Sequence, residues 1–313
     1  MKIGFHSLCY HYIRKDSNDP VPRLLGTKIG DFNEHVALVK KKYNITSLKE
    51  IHSFYYNSFT IRNGLLFTFD DGLSDQYEAA KILKENEIEA IFFIPTCIIK
   101  DEMPANPIII HYAIALHGLR DFIRTLNILI VESYPSFQQY FKRIFTMKDI
   151  NETIIQIKKI FHYELEPLIS RAILLEIFKK MIKPEGLKIN DLHLTKNQIE
   201  SILEMGHCIG THSHSHISFG RKGIDDEYIK KELIFPKYNL EMLFNTKILA
   251  MSYPFGEPED CLTAEDLLKK TDSYKIAFTI QNKFNSKKTS PLDIGRYMVN
   301  SSDKAGNLYE KIK

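Results

Sequence analysis

The sequence predicts an α/β fold with parallel strands, interrupted in its middle by a block of helix. Three observations carry that expectation. Short apolar runs of strand length alternate with longer segments of helical periodicity. Repeated strand–helix units imply parallel strands covered by helices. From about 105 to 190 the alternation gives way to helical periodicity alone, rich in Ile, Leu, Phe and Lys. The chain has 313 residues, 44% of them hydrophobic, enough to bury one large core or two small ones. The organisation expected is one domain over 1–313 with 105–190 inserted in it.

The elements follow in order. "IGFHSLCY" (3–10) reads as the first strand. Asp31, with Glu34 three positions on, has the signature of a capped helix start, and Ser47 with Glu50 repeats it. "LLFTF" (65–69) is the next strand, "LSDQYEAAKILKENE" (73–87) a helix, and "EAIFFI" (89–94) a strand stopped by Pro95. In the insertion, "FIRTLNILIVESY" and "LISRAILLEIFKKMI" have helical spacing. Thr195 with Gln198 opens a helix that runs to Gly206, and "HCIGTH" (207–212) is a short strand. Residues 225–244 read as one helix kinked at Pro236. "KILAMSY" is a strand, "TAEDLLKKT" a helix and "YKIAFTI" a strand; "DIGRYMV" then places Arg296 at a strand end.

Composition narrows the classes of function. A net charge of +3 gives no electrostatic case for a nucleic-acid partner, and Lys40–Lys42 reads as a solvated helix end. No run of about twenty apolar residues predicts a membrane span. The first residues lack the apolar core and cleavage site of a secretory signal. Cys9, Cys97, Cys208 and Cys261 are scattered without a C-x-x-C pair, as expected of core residues in a reducing compartment. The cytoplasm is the expected location.

Chemistry concentrates at two places. Asp70 and Asp71 are adjacent carboxylates at the end of a core strand, followed by Gly72. As a plain turn, Asp-Gly with a helix-capping aspartate would suffice. As a site, a cation offsets the repulsion: one carboxylate binds it and the other accepts a proton from its water. "GHCIGTHSHSHISFG" supplies His207, His212, His214 and His216. His212 and His216, four apart, can face one way in a helical turn or an extended segment. Imidazole and carboxylate suit Zn²⁺, and two histidines with one carboxylate leave positions open for water and a substrate oxygen.

"TFDDG" at 68–72, "HSHSH" at 212–216 and "YPFG" at 253–256 resemble, in order and approximate spacing, the first three motifs of the polysaccharide deacetylases, the NodB-homology or carbohydrate esterase 4 family. The resemblance covers most of the chain outside the insertion. It implies a distorted (β/α)7-type barrel, with the helical insertion lying between the first and second motifs, and metal-dependent removal of acyl groups from sugars. Residue by residue, it implies Asp71, His212 and His216 as metal ligands and Asp70 as the general base, with His214 the alternative ligand. It makes Tyr253, Pro254 and Phe255 a groove wall, with the Phe255 N–H facing the oxyanion.

Two departures stand out. Ser252-Tyr253 occupies the place where many members carry a base-orienting arginine, and Arg296 is the candidate replacement. No histidine follows His216, where many members carry the acid that protonates the leaving amine. His11 in "SLCYHYI" resembles the displaced acid histidine of the poly-N-acetylglucosamine deacetylase branch. His111 and His117, in the insertion, are expected to be structural or at most substrate contacts.

The function expected is metal-dependent N-deacetylation of a sugar, with zinc as cofactor. A nucleotide- or lipid-linked intermediate of surface-polysaccharide assembly is the expected substrate. A degenerate carbohydrate-binding or scaffold protein of the same fold, and a hydrolase of non-sugar amides, are the alternatives.

Overall fold

The computed structural model describes residues 2–146, 148–221 and 224–313. Its strands are β1 (Phe5–Tyr10), β2 (Ile13–Arg14), β3 (Thr27–Lys28), β4 (Asn44–Ile45), β5 (Gly64–Phe69), β6 (Ala90–Ile94), β7 (Cys208–Thr211), β8 (Ala250–Ser252), β9 (Ile276–Phe278) and β10 (Tyr297–Met298). β2 and β3 pair apart from the rest. The others form one sheet in the order β10-β1-β5-β6-β7-β8-β9, with β4 added alongside β5. Every pairing is parallel.

All residues of β1, β5 and β6 are buried, as parallel strands covered on both faces must be. The sheet curls. Phe5, Leu66, Ile91, Phe93, Ala250, Ile276 and Phe278 share an inner cluster closed by Ile51 and Phe54 of helix Leu48–Tyr56. Leu65, Phe67, Phe69, Phe92 and Ile94 alternate with them and join the larger core beneath the outer helices. The period of two therefore puts Thr68 and Asp70 on the inner face with Leu66. Tyr10 lies opposite Phe69, Phe69 opposite Phe92, Ile94 opposite Thr211, and Ser252 opposite Phe278. The carboxyl ends of these neighbouring strands fall within two residues of one another in register, so the residues that follow them emerge on one rim.

The expected barrel is thus a curled path of seven parallel strands. Its end strands β9 and β10 do not pair among the described residues; isolated bridges tie β9 (Phe278 with Ile294) and β1 (Phe5 with Asn285) to the segment that runs from β9 to β10.

Several elements depart from their sequence reading. The helix expected to start at Asp31 is Ile29–Lys42; its cap position is Lys28, and Asp31 sits in the first turn, where both its oxygens accept from Lys304 at 2.7 Å. The helix over 225–244 is two, Asp226–Leu233 and Phe235–Phe244, because Pro236 has no N–H to continue the first ladder. The helix around 263–271 begins earlier and spans Pro258–Thr271, with a proline in its opening positions. Arg296 immediately precedes the two-residue β10 instead of ending a strand. The insertion is helical, with Asn106–His117, Leu119–Ser133, Ile150–Lys159 and Pro167–Ile177, and it carries two π-helical turns, Ile160–Glu164 and Phe178–Ile182. Among the described residues no helix is long and apolar enough to cross a membrane.

Candidate active site

The two carboxylates at the end of β5 part company at once. Asp70 continues the strand, its N–H on the Tyr10 carbonyl at 3.0 Å, and points inward. Asp71 and Gly72 then adopt positive φ, +74° and +56°. A non-glycine residue there stores strain on the order of 1 kcal/mol, and the turn aims Asp71 elsewhere than Asp70. His193 props this turn: its Nδ1–H lies 3.1 Å from the Asp71 carbonyl and its Nε2 accepts from the Ala105 N–H at 3.3 Å. The Gln76 amide donates to the carbonyls of Asp70 and His11.

Asp70 is clamped. Arg296 Nη1 and Nη2 donate to its two oxygens, each at 2.7 Å, and the Ser252 hydroxyl donates at 3.0 Å. Burial alone would push this carboxyl up. The Arg296 guanidinium, with His212 next, outweighs burial and holds it well below the usual carboxylate range. Arg296 is 0% exposed, so its charge is buried together with that of Asp70.

The histidine loop is neither helical nor extended. His212 continues from β7, its N–H on the Ile94 carbonyl at 3.0 Å. Ser213 and His216 have φ of +59° and +62°, and the His216 N–H donates to Ser213 Oγ at 2.9 Å. The buried Glu232 accepts from the His214 N–H, the Ser215 N–H and the Ser215 hydroxyl at 2.7–3.1 Å. This compact turn returns His216 beside His212. His212 donates through Nδ1 to the Ser252 carbonyl at 2.9 Å, which leaves the Nε2 lone pair facing the site.

The Nε2 atoms of His212 and His216 lie 3.4 and 3.2 Å from Asp71 Oδ1. That oxygen is buried and these approaches are not aligned as hydrogen bonds, so it has no hydrogen-bond partner among the described residues. One ligand atom from each residue lies within 4.8 Å of the others. Two bonds of about 2.0–2.2 Å meeting at a tetrahedral ion set their donor atoms about 3.3–3.6 Å apart, close to the two Asp71–histidine separations. The three residues fit a divalent cation. Burial raises Asp71, but the two histidines outweigh it and hold the carboxyl well below its usual range. His214 does not join them. Its ring meets Thr96 Oγ and Asp101 Oδ2, each at 2.9 Å, which overturns it as the alternative ligand. His207 is structural, bonded to Ala90 and Ala80 backbone.

Tyr253 and Pro254 are buried, and the Tyr253 hydroxyl donates to the Leu292 carbonyl at 3.1 Å. Phe255 has φ of +64°, its ring stands edge-on to His216 with centroids 4.7 Å apart, and its N–H donates to no backbone carbonyl among the described residues.

The sequence pattern of the polysaccharide deacetylase family matches residues 60–272, a span that holds all three motifs. The chain belongs to the polysaccharide deacetylase family. It is a hydrolase acting on carbon–nitrogen bonds outside peptides. No curated protein matches it. Among solved structures, this deacetylase is similar to Streptococcus pyogenes deacetylase PplD in complex with acetate, at 15% identity and a TM-score of 0.61, covering all of both chains. It is also similar to IcaB from Ammonifex degensii, at 14% identity and a TM-score of 0.58, covering 99% of this chain and 97% of that one. A polysaccharide deacetylase from Bacillus cereus matches at 12% identity and a TM-score of 0.58, over 99% of this chain and 69% of its own.

His11 and Arg296 lie outside the matched span. The structure places His11 one residue past β1, partly buried, with one ring nitrogen within 4.8 Å of a carboxylate oxygen of Asp70. Burial lowers its pKa, and Asp71 and Asp70 counter only part of that. The insertion reaches the same rim of the deacetylase. His111 meets the Tyr12 hydroxyl at 3.3 Å, and the His162 ring lies 4.4 Å from Phe255. His117 instead donates to the Met181 carbonyl at 2.6 Å, within the insertion. Sequence reasoning missed His193, Gln76, Glu232 and His162. Gln76 and Glu232 sit on ordinary helices, His193 between helices and His162 in a π-helical turn, and only the tertiary fold shows what each touches.

Proposed function

We propose that this deacetylase is a metal-dependent carbohydrate N-deacetylase that hydrolyses an acetamido group on a sugar. Asp71, His212 and His216 hold the cation, and an imidazole and carboxylate set favours Zn²⁺. The observation that carries the reading is the unpartnered Asp71 Oδ1 facing two Nε2 atoms, next to a second carboxylate fixed by Arg296. A bound zinc supplies the Lewis acid that polarises the acyl oxygen and acidifies the attacking water.

Asp70, held ionised by Arg296, would accept the proton of the attacking water. Arg296 and Ser252 fix the carboxylate's direction. The Phe255 N–H donates to the developing oxyanion. His11 donates a proton to the departing sugar nitrogen, since an unprotonated amine is a poor leaving group. The acetate in the streptococcal structure supports acetyl as the group removed. The substrate is a nucleotide- or lipid-linked intermediate of surface-polysaccharide synthesis in the cytoplasm; four free cysteines support a reducing location.

The test is acetate release from N-acetylated sugars by zinc-loaded protein. D70N is expected to lose turnover by about 10²–10⁴-fold while elemental analysis shows its metal retained. D71A and H216A are expected to lose the metal. H11A is expected to lose amide cleavage while sparing activated esters, whose leaving groups need no proton. Unchanged turnover in D70N, or metal retained in D71A, overturns the assignment.

A further inference from the structure

Arg221 is 7% exposed, and neither Nε nor Nη2 has a hydrogen-bond partner among the described residues. A buried cation without a partner is rare because its desolvation goes uncompensated. Its place in the wall is fixed. The Ser218 hydroxyl donates to Asp260, which also accepts from the Tyr163 hydroxyl at 3.2 Å. Gly220 is pressed on the same helix start, where a Cβ would stand 2.4 Å from the Glu259 carbonyl oxygen. Arg221 follows directly on this packed segment, and after burial and nearer cations its charge also lowers the pKa of His162 on the π-helical turn Ile160–Glu164. From there the wall runs through Phe255 to His216.

The acidic groups acting on Arg221 are Glu166 and Glu232, with Tyr228, all without bonding it. Glu232 is already committed to the histidine loop. Burial pushes the guanidinium down to about 10, so it remains a cation at neutral pH.

Nε–H and Nη2–H form one edge of the guanidinium fork, the edge that meets two oxygens of a phosphate at once. We propose that this edge of Arg221 binds a phosphate group of the substrate, so that the deacetylase acts on a sugar phosphate or sugar phosphodiester in preference to a neutral glycan. The assignment rests on the deacetylase reading above. An anion at this edge would compensate the desolvation that Nε and Nη2 bear without a partner among the described residues.

The experiment is calorimetric titration of the zinc-loaded chain with N-acetylglucosamine, N-acetylglucosamine 1-phosphate and UDP-N-acetylglucosamine. At least one phosphorylated ligand is expected to bind tenfold or more tighter than the neutral sugar, the scale of a charge-assisted pair. Which one does so separates a free sugar phosphate from a nucleotide-linked sugar. R221Q is expected to reduce the preference below about twofold, and R221K, which keeps the charge without the fork, to lose most of it. No preference in the wild type, or a preference that survives both substitutions, overturns the proposal. Should R221Q not fold, R221K decides alone. Acetate release from a neutral chitooligosaccharide is measured in parallel. Phosphate preference without acetate release from any sugar sinks the deacetylase reading alone, and release without preference sinks the phosphate site alone.

Discussion

Arg296 has five N–H groups and uses all of them: on the Thr279 carbonyl, on Thr68 Oγ, on both oxygens of Asp70 and on Ser252 Oγ. Its guanidinium carbon lies 5.7 and 5.8 Å from the Phe93 and Phe278 ring centroids, over two rings that pack against each other 5.4 Å apart. A lysine supplies no fork and no plane, so Arg296→Lys is not conservative here. It leaves Asp70 buried with a poorer partner. Breaking such a pair costs about 3–5 kcal/mol, and urea denaturation reads it. The carboxylate also loses what holds its pKa down against burial. The acid limb of kcat/KM in Arg296→Lys is therefore expected to move to higher pH. An unmoved limb would mean that Asp70 does not set it.

Elements whose stability is local were legible in the sequence. Ser47 with Glu50 and Thr195 with Gln198 form the capping boxes their spacing announced. Asp31 and Glu34 share the spacing yet make none, because the helix starts at Ile29 and puts Asp31 inside its first turn, where it pairs with Lys304. Ser47→Ala and Thr195→Ala are each expected to cost about 1 kcal/mol in denaturation midpoints, whereas Asp31→Ala removes no cap. The histidine loop was legible as a ligand source but not as a shape. Its two left-handed residues are held by Ser213 and by Glu232, which lies sixteen residues beyond His216 in an ordinary amphipathic helix. Glu232→Gln keeps the helix but weakens the acceptor that gathers the His214 and Ser215 N–H groups. Groups that orient metal ligands in this way are worth about 10–100-fold in metal affinity. Chelator competition with the Glu232→Gln protein is expected to show zinc affinity lowered by that order, and unchanged affinity would show that the loop holds its shape without it.

Across the whole molecule, buried neutral histidines stand at both ends of the curled sheet. His6, near the start of β1, lies among Phe284, Tyr297 and Tyr43, with ring centroids 4.8–5.6 Å away. Burial, with Lys2 adding to it, lowers its pKa to about 4. His193 stands under the Asp71 turn at the opposite end, and burial lowers it to about 4 against weaker opposing contributions from Asp71 and nearby carbonyls. In the unfolded chain both titrate near 6.5. Above about pH 6.5 neither state binds their protons and the pair is neutral to stability. As the pH falls from there to about 4, the unfolded chain takes up a proton at each histidine and the folded one does not. Stability then declines by about 1.4 kcal/mol per pH unit for each. Below about 4 both states are protonated and the decline from these two groups stops. Asp70 and Asp71 act lower on the scale: their depressed pKa values hold stability above about pH 4 and release it only as the pH falls further. Urea midpoints of the metal-free protein at pH 7.5, 6 and 5 are therefore expected to fall with pH. His6→Phe, which keeps an aromatic ring among Phe284, Tyr297 and Tyr43, is expected to hold its midpoint better than the wild type between pH 6 and 5. An equal fall in both would show that His6 takes up its proton without unfolding.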